Sequence, residues 1–319
     1  MHITVIDDYQ DVFRSLEAAG KLKGHDVKVF HAPAKDEAAL IDILKGAEAV
    51  VLIQQRTAMP RKVIEALPNL KMISQTGRNT AHIDMAACKE RGIVVSAGGG
   101  STPHATAEIA WSLILSAARN IPAEVQALKE GRWQISLGDV LAGKTLGIYA
   151  FGKIGSVVAT VGKAFGMKVV CWGREGSLAR AKEAGFEVAA DRKAFFAESD
   201  VISLHIPLNK DTQGVVTAAD LALMKPTSIL VNTSRAGLIE KDALVDALKK
   251  GRPGRAGIDV YEVEPVLNGD HPLLKLPNVV CTPHLGYVER STYEALYGAA
   301  ADQILAYAAG KPINVVTPA

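Results

Sequence analysis

Short runs of β-branched and other apolar residues alternate with amphipathic stretches from the first residues of the chain. In the first hundred residues such runs occupy positions 2–6, 27–30, 49–53, 71–74 and 94–96. Between them, residues 37–44 and 61–67 place apolar side chains at helical spacing. Strand, helix and strand repeated at this interval predict a parallel sheet with helices on both of its faces.

A second series follows a glycine-rich loop that ends at Thr102-Pro103. Residues 105–118 predict a long, buried helix, since hardly any polar residue follows Glu108 in that stretch. Six further strands are then expected at 145–149, 168–172, 201–205, 228–232, 256–260 and 279–282. Six strands with intervening helices is the count of a complete dinucleotide-binding domain.

The last predicted helix, residues 291–309, has no strand of its own to pack beside, so we expect it to return to the first lobe. The predicted fold is therefore α/β with two lobes. A Rossmann-type dinucleotide-binding domain, residues 102–290, is inserted in a flavodoxin-like substrate domain made of residues 1–101 and 291–319.

Composition narrows the possible partners. A net charge of +2 over 319 residues gives no field that would indicate nucleic acid. The three cysteines show no C-x-x-C spacing, so we expect no metal site and no disulfide framework, and a reducing cytoplasm fits. No apolar run reaches the length of a membrane span. A small-molecule ligand is the remaining expectation.

A glycine-containing turn follows the strand at 145–149. It reads Ala150-x-Gly152-x-x-Gly155, where the dinucleotide fingerprint has glycine at all three positions. Backbone amides at Gly152, Lys153 and Ile154 could then approach a pyrophosphate at the start of the next helix. Because Ala150 stands at the tight-turn position, a purely structural turn is the alternative.

The next strand ends at Gly173 and Arg174, where an NAD-preferring site carries a carboxylate for the ribose 2′-hydroxyl. An arginine without that carboxylate is the arrangement that admits a 2′-phosphate, and Ser177 lies nearby. We therefore expect NADP to be favoured over NAD. A solvated turn, or Glu175 reaching back to the ribose, are the alternatives.

Three later segments each follow a strand, and they carry Arg235, Glu264 and His284. Ligands of open α/β sheets bind beyond the carboxyl ends of the strands. A guanidinium can grip a planar carboxylate through two hydrogen bonds. An imidazolium can protonate the oxygen of a keto group, and a carboxylate on its other nitrogen fixes the tautomer. These are the groups that the reduction of a 2-keto acid needs.

At these segments the chain closely resembles the D-isomer-specific 2-hydroxyacid dehydrogenases. The motifs are H-I-P-L-N-K-D-T-Q-G at 205–214, M-K-P-T-S-I-L-V-N-T-S-R at 224–235 and H-P-L-L-K-L-P-N-V-V-C-T-P-H at 271–284. The resemblance implies that Arg235 binds the substrate carboxylate, Glu264 orients the histidine and His284 is the acid and base. It also implies that Asp259 holds the nicotinamide carboxamide and that the backbone near Thr233 and Ser234 lines the cofactor. His205 is expected to pack under the cofactor as a structural residue.

The chain also departs from the family pattern. The family usually has glycine where Ala150 and Ala236 stand, and G-V-G where this chain has Gly77-Arg78-Asn79. Phosphoglycerate-specific members have two arginines in the segment that here retains only Arg56. Arg78 either replaces the missing charge or is a solvated loop residue. Arg56, Gly77, Arg78 and Asn79 are thus the candidate substrate contacts, for a phosphoglycerate-like or a hydroxypyruvate- or glyoxylate-like acid.

Two other functions deserve comparison. A binding protein that senses NAD(P)H on the same scaffold would keep the same three polar residues. Formate-oxidising relatives resemble this chain but carry Gln where Glu264 stands, which speaks against formate oxidation. We expect an enzyme that works as a homodimer, with Trp111 and Trp133 at domain or subunit contacts.

Overall fold

The computed structural model describes residues 1–100 and 102–317. Ser101 and residues 318–319, which fall within the predicted domain ranges, lie outside the described residues. Two compact units divide the chain. Unit 1 comprises Met1–Ser101 and Glu289–Ala319, and unit 2 comprises Thr102–Val288. Within the described residues, no helix combines the length and the apolar character that a membrane crossing requires.

Unit 1 is built on a five-stranded parallel sheet in the order β2-β1-β3-β4-β5, which is the flavodoxin-like order. Its strands are β1 (His2–Val5), β2 (Asp26–Val29), β3 (Ala49–Leu52), β4 (Met72–Thr76) and β5 (Val94–Gly98). The helices between them are α1 (Glu17–Lys21), α2 (Glu37–Leu44), α3 (Arg61–Glu65) and α4 (Met85–Glu90). Asp36 and Asp84 cap the first turns of α2 and α4 by accepting backbone hydrogen bonds.

The last helix, α12 (Arg290–Ala308), belongs to unit 1 and packs against β4, β5 and α1. It begins one residue before the predicted start. In the buried face between α12 and β4, the Ser74 hydroxyl lies 2.7 Å from the side-chain amide of Gln303. The segment after α12 adds an antiparallel bridge to β5, between Val315 and Ser96. Residues after α12 thus pair with β5, an edge strand of the unit 1 sheet.

Unit 2 contains a seven-stranded parallel sheet in the order β12-β11-β10-β9-β6-β7-β8. Its strands are β6 (Thr145–Tyr149), β7 (Lys168–Trp172), β8 (Glu187–Val188), β9 (Val201–Leu204), β10 (Ile229–Asn232), β11 (Arg255–Ile258) and β12 (Val279–Cys281). The strand order reverses between β6 and β9, which is the switch point of a Rossmann-type sheet. The predicted count of six was wrong because β8 has only two residues, too few to form an apolar run.

Helices cover both faces of the unit 2 sheet. They are α5 (Pro103–Arg119), α6 (Ile121–Lys129), α7 (Lys153–Ala164), α8 (Glu175–Glu183), α9 (Arg192–Glu198), α10 (Ala218–Leu223) and α11 (Ala243–Lys249). The predicted long helix is α5, and it packs against α7, β10 and β11. Its Trp111 is buried inside unit 2, where the ring stacks on Phe165 and the indole N–H donates to the Val158 carbonyl. Trp111 therefore contributes to the core of this unit.

Candidate active site

The carboxyl ends of three neighbouring strands in unit 2 carry the candidate catalytic residues. Strand β11 lies between β10 and β12. Arg235 follows β10, Glu264 follows β11 and His284 follows β12. Because parallel strands end at the same edge of the sheet, the fold brings these three residues to one edge.

His284 and Glu264 form a close pair. The imidazole Nδ1 lies 2.5 Å from one carboxylate oxygen of Glu264, and the other oxygen accepts the backbone N–H of Tyr261 at 2.9 Å. Both side chains are partly exposed, His284 by 25% and Glu264 by 30%. Since the carboxylate occupies the Nδ1 side of the ring, Nε2 is the nitrogen that can exchange a proton with a reactant.

The surroundings of Glu264 keep it ionised. Burial alone would raise the pKa of this carboxyl, but the hydrogen bond from His284, the charge of His284, the Tyr261 N–H and the charge of Arg235 together lower it. Glu264 therefore remains a carboxylate near neutral pH, in the form that stabilises a protonated imidazole.

The turn that carries Arg235 is fixed by a buried asparagine. Asn232, only 1% exposed, donates its side-chain N–H to the Arg235 carbonyl at 2.9 Å and accepts the Ser234 N–H at 3.0 Å. The exposed guanidinium of Arg235 donates to the Ser234 carbonyl at 2.6 Å, and the Ser234 hydroxyl donates to the Leu204 carbonyl. The backbone at Arg235 is thus held while its side chain extends outward.

Asp259 lies directly after β11 and is completely buried. Its carboxylate accepts the Thr282 hydroxyl at 2.6 Å and the N–H groups of Leu285 and Gly286 at 2.7 and 2.9 Å. Burial raises the pKa of Asp259, and the hydrogen bonds together with the charge of His284 oppose that shift only in part. All three donors come from the turn that contains His284.

Sequence reasoning missed the two tyrosines beside the pair. The Tyr261 hydroxyl donates to the Thr282 carbonyl at 2.9 Å, in addition to the contact of its N–H with Glu264. The ring of Tyr287 meets the His284 imidazole edge to face, with centroids 5.4 Å apart. Tyr261 stands inside the G-I-D-V-Y-E-V-E-P segment, but its main contact to Glu264 uses the backbone, which residue type does not reveal.

The turn between β6 and α7 has the geometry of a phosphate-binding turn in spite of Ala150. Ala150 has φ +75°, a left-handed conformation that favours glycine. A Cβ at Gly155 would lie 2.5 Å from the Ala150 carbonyl oxygen, so the helix approaches the strand as closely as only glycine permits. A Cβ at Gly152 would meet nothing within 4 Å, which leaves open space beside the backbone. Lys153 is exposed in the first turn of α7.

Other candidate cofactor residues of unit 2 leave polar atoms unpaired. The Nε2 of His205 and the Oγ1 of Thr233 are buried and have no hydrogen-bond partner within the described part of the chain. Burial lowers the pKa of His205 to about 4, so its ring is neutral. The ring carbon Cδ2 of His205 would lie 3.3 Å from a Cβ at Gly155, while Ile154 packs against the core. Together with the turn, these residues fit a dinucleotide held at the start of α7.

At the end of β7, Gly173 lies close to Ser177 in the first turns of α8. Gly173 has φ +156°, and a Cβ there would lie 3.1 Å from the Ser177 hydroxyl. That hydroxyl already accepts the Phe151 N–H at 2.6 Å, and Ser177 is buried. The oxygen of Ser177 therefore supports the phosphate-binding turn. Arg174 is the candidate contact for a 2′-phosphate at this strand end. Its side chain is 71% exposed and lies 3.6 Å from the carboxylate of Asp211.

The candidate substrate residues of unit 1 follow the adjacent strands β3 and β4. The Arg56 guanidinium donates to the Asp7 carbonyl at 2.5 Å and to the Tyr293 hydroxyl at 3.1 Å, and it lies 4.5 Å above the ring of Tyr9. These contacts hold the half-buried charge in one place.

The second loop of unit 1 is more open. Gly77, at φ +80°, is packed against the Gln54 side chain, and its N–H donates to the Gly98 carbonyl. Arg78 and Asn79 are exposed, and the Asn79 side chain accepts the Ala81 N–H.

A dinucleotide-binding turn and an imidazole–carboxylate pair at the carboxyl edge of one parallel sheet are typical of nicotinamide-dependent dehydrogenases. The family model for the D-isomer-specific 2-hydroxyacid dehydrogenase NAD-binding domain matches residues 111–286. The chain belongs to the D-isomer-specific 2-hydroxyacid dehydrogenase family, which confirms the resemblance noted from its motifs.

Known proteins align along most of the chain. A glyoxylate reductase of Thermococcus litoralis is 35% identical over 92% of this chain and 91% of its own length. A D-3-phosphoglycerate dehydrogenase of Methanocaldococcus jannaschii is 36% identical over 93% of this chain, which spans 55% of that longer protein. The crystal structure of a phosphoglycerate oxidoreductase from Vibrio cholerae superposes with a TM-score of 0.93 and 47% identity, covering 97% of this chain and 99% of that one.

Proposed function

We infer that the protein is a nicotinamide-dependent dehydrogenase that interconverts a 2-keto acid and the corresponding D-2-hydroxy acid. The observation that carries this inference is the His284–Glu264 pair at 2.5 Å, set at the same sheet edge as Arg235. Membership of the family supports the reaction class.

Each of the three residues has a separate task. NAD(P)H, when bound at the β6–α7 turn, supplies the hydride that reduces the keto carbon. The guanidinium of Arg235 binds the carboxylate of the acid through two parallel hydrogen bonds. His284 gives a proton from Nε2 to the keto oxygen, and in the oxidative direction the neutral ring takes it back. Glu264 holds the ring through Nδ1 and stabilises its charged form.

The residues of unit 1 favour an acid with a polar or anionic substituent. Arg56 is held by three groups, so its charge is presented in a fixed position at little further cost in entropy. Arg78 is a second positive charge on the neighbouring loop, beside Gly77 and Asn79. Relatives named for glyoxylate and for phosphoglycerate agree with a substrate of either the glyoxylate and hydroxypyruvate type or the phosphoglycerate type.

A substrate screen tests the proposal. Glyoxylate, hydroxypyruvate, pyruvate and 3-phosphohydroxypyruvate are each assayed with NADH and with NADPH, in the wild type and in His284→Ala. We expect turnover of at least one acid by the wild type and its near loss in the variant. Tight NAD(P)H binding without turnover of any of the four would instead favour the alternative of a cofactor-sensing protein.

Within this function we place NADP ahead of NAD. At the end of β7 the positions nearest the expected ribose offer Gly173 and the exposed Arg174, whereas an NAD site offers a carboxylate. Arg180 is also exposed and reaches back to the Phe151 carbonyl at 3.3 Å. Glu175 and Asp211 oppose this preference, since both would repel a 2′-phosphate.

A homodimer is the assembly that the surface of unit 2 favours. Helix α6 and the segment after it expose several large apolar side chains, and contiguous patches of that kind mark interaction sites. They are Ile121, Val125, Leu128, Trp133, Ile135, Leu137 and Val140, with Leu137 96% exposed. The segment is anchored to its own unit, because Arg255 pairs with Asp139 and donates to the Ala117 carbonyl.

The cellular location that we propose is the cytoplasm. The three unpaired cysteines fit its reducing environment.

Sedimentation velocity tests the dimer directly. Leu137→Asp should give monomers at concentrations where the wild type is dimeric, because a charge would be buried in the contact. Leu267→Asp is the matched control, since Leu267 is also exposed, by 55%, but lies outside this patch. A wild type that sediments as a monomer at all concentrations would contradict the proposal.

A further inference from the structure

The turn that presents His284 adopts an unfavourable backbone conformation. His284 has φ +54°, in the left-handed region that residues with a side chain avoid. Such conformations persist where surrounding contacts enforce them, and they cluster at functional sites. The contacts that enforce this conformation at His284 therefore determine the position of its imidazole.

Three hydrogen-bond donors of the turn converge on one carboxylate. Asp259 accepts the hydroxyl of Thr282, two residues before His284, and the N–H groups of Leu285 and Gly286, directly after it. Its two oxygens thus hold the chain on both sides of the strained residue. Asp259 is itself fixed, because its N–H donates to the Asn232 carbonyl at 3.0 Å and its side chain is fully buried.

We propose that Asp259 is a positioning residue, which holds the 282–286 turn in the conformation that brings His284 to Glu264. This role rests on the proposed dehydrogenase function. It differs from the direct contact to the nicotinamide carboxamide that the family resemblance implies, because here Asp259 acts through the turn.

The chemistry of the turn explains why a carboxylate stands at this position. All three contacts are donors, and an ionised carboxylate only accepts hydrogen bonds. An asparagine of the same shape would turn an NH₂ group toward one of the donors and leave that donor unpaired. The approach is also close, since a Cβ at Gly286 would lie 3.3 Å from an Asp259 oxygen. Gly286 permits the close approach and Asp259 accepts the hydrogen bonds, so both residues support the same conformation of the turn.

Three variants test the proposal: Asp259→Asn, Thr282→Val and Thr282→Ser. The first removes an acceptor, the second removes one donor, and the third keeps that donor as the conservative control. For each variant we measure kcat and KM with the best keto acid of the screen, the Kd of NADH and NADPH, and hydrogen–deuterium exchange of the segment 279–288. A thermal melt shows whether each variant is folded.

We expect Asp259→Asn to lower kcat by about 10- to 100-fold, the size of effect that a small misplacement of a catalytic group produces. The Kd values should stay within about twofold of the wild type. Exchange at Leu285 and Gly286 should become about two- to tenfold faster, as the loss of one hydrogen bond predicts. Thr282→Val should show a smaller change in the same direction, and Thr282→Ser should resemble the wild type.

Other outcomes would overturn the proposal. A tenfold weaker Kd for NADH or NADPH in Asp259→Asn, with unchanged exchange, would mean that Asp259 contacts the cofactor directly. Unchanged kcat and exchange in Thr282→Val would show that the turn does not need this contact. If Asp259→Asn fails to fold, the two Thr282 variants decide the question alone. A wild type that turns over no keto acid would refute the dehydrogenase function, whereas exchange would still report whether Asp259 holds the turn.

Discussion

Replacing Arg174 by glutamine tests the cofactor preference at the residue on which it depends. In the free protein Arg174 is 71% exposed and 3.6 Å from Asp211. A hydrogen bond to a charged group contributes about 1.5–3 kcal/mol, and leaving an exposed ion pair costs about 0.2–1 kcal/mol. The difference corresponds to a preference for NADPH between about twofold and one hundredfold, with about tenfold as the central value.

We therefore expect Arg174→Gln to lower kcat/KM for NADPH by about tenfold and to leave the value for NADH within about twofold. Asp211→Asn should raise kcat/KM for NADPH by up to about fivefold, because it releases Arg174 and removes a repelling charge. In the double variant, Arg174→Gln with Asp211→Asn, the gain in kcat/KM for NADPH that Asp211→Asn produces should be smaller. Lys163→Gln is the matched control, since it removes an exposed positive charge at the opposite end of α7 from the turn. Ionic strength is held constant because salt screens these charges.

A wild type that favours NADH by tenfold, together with no effect of Arg174→Gln, would refute the reasoning and would assign the ribose to Glu175. Gly173→Asp is a poor substitute for this experiment. At φ +156° a side chain is strained, and its Cβ would lie 3.1 Å from the hydroxyl of Ser177, which holds the phosphate-binding turn.

Five further variants probe the site and its scaffold. His284→Ala should lower kcat by roughly 10²–10⁴-fold with cofactor Kd unchanged, and near-normal turnover would exclude it as the acid. Arg235→Lys should lose most kcat/KM for keto acids because lysine cannot form the two-pronged contact, and retained activity would contradict that contact. Ala150→Gly should stabilise the protein by about 0.5–1 kcal/mol in urea unfolding, by relieving φ +75° at the cost of added chain entropy. Gly155→Ala, the matched change in the same turn, should destabilise it, since its Cβ meets the Ala150 oxygen at 2.5 Å. The pKa of His82 is lowered by burial to about 4, so the unfolded chain binds a proton first as the pH falls. Stability should decline from about pH 6.5 toward pH 4, and His82→Gln should flatten that slope in pH-dependent melts.

The fold was largely predictable because its strands are continuous apolar runs, which parallel sheets require. The exceptions have physical causes. Strand β8 is two residues long and carries no periodic signal. The contact between the Ser177 hydroxyl and the Phe151 N–H was not predictable, because residue type does not reveal which backbone group a hydroxyl meets.

The candidate site was predictable in its residue types but not in its supports. Arg235, Glu264 and His284 stand out because each is a polar residue in the segment that follows an apolar strand. Asn232 and Tyr261 do not stand out, because their contacts are to backbone groups whose direction only the folded turn defines. The roles given to His205, Thr233 and Asp259 stay predictions until cofactor binding is measured.

The way in which α12 completes unit 1 has a consequence for synthesis of the chain. Residues 102–288 form a contiguous unit, whereas β4 acquires the buried partner Gln303 only from the far end of the sequence. During translation, the sheet of unit 1 remains an incomplete intermediate while unit 2 is synthesised and folds, because the surface of β4 and β5 that α12 covers is still exposed. Chaperone dependence and aggregation during expression should therefore depend on residues of the 290–308 helix, and truncations before it should be recovered as inclusion bodies.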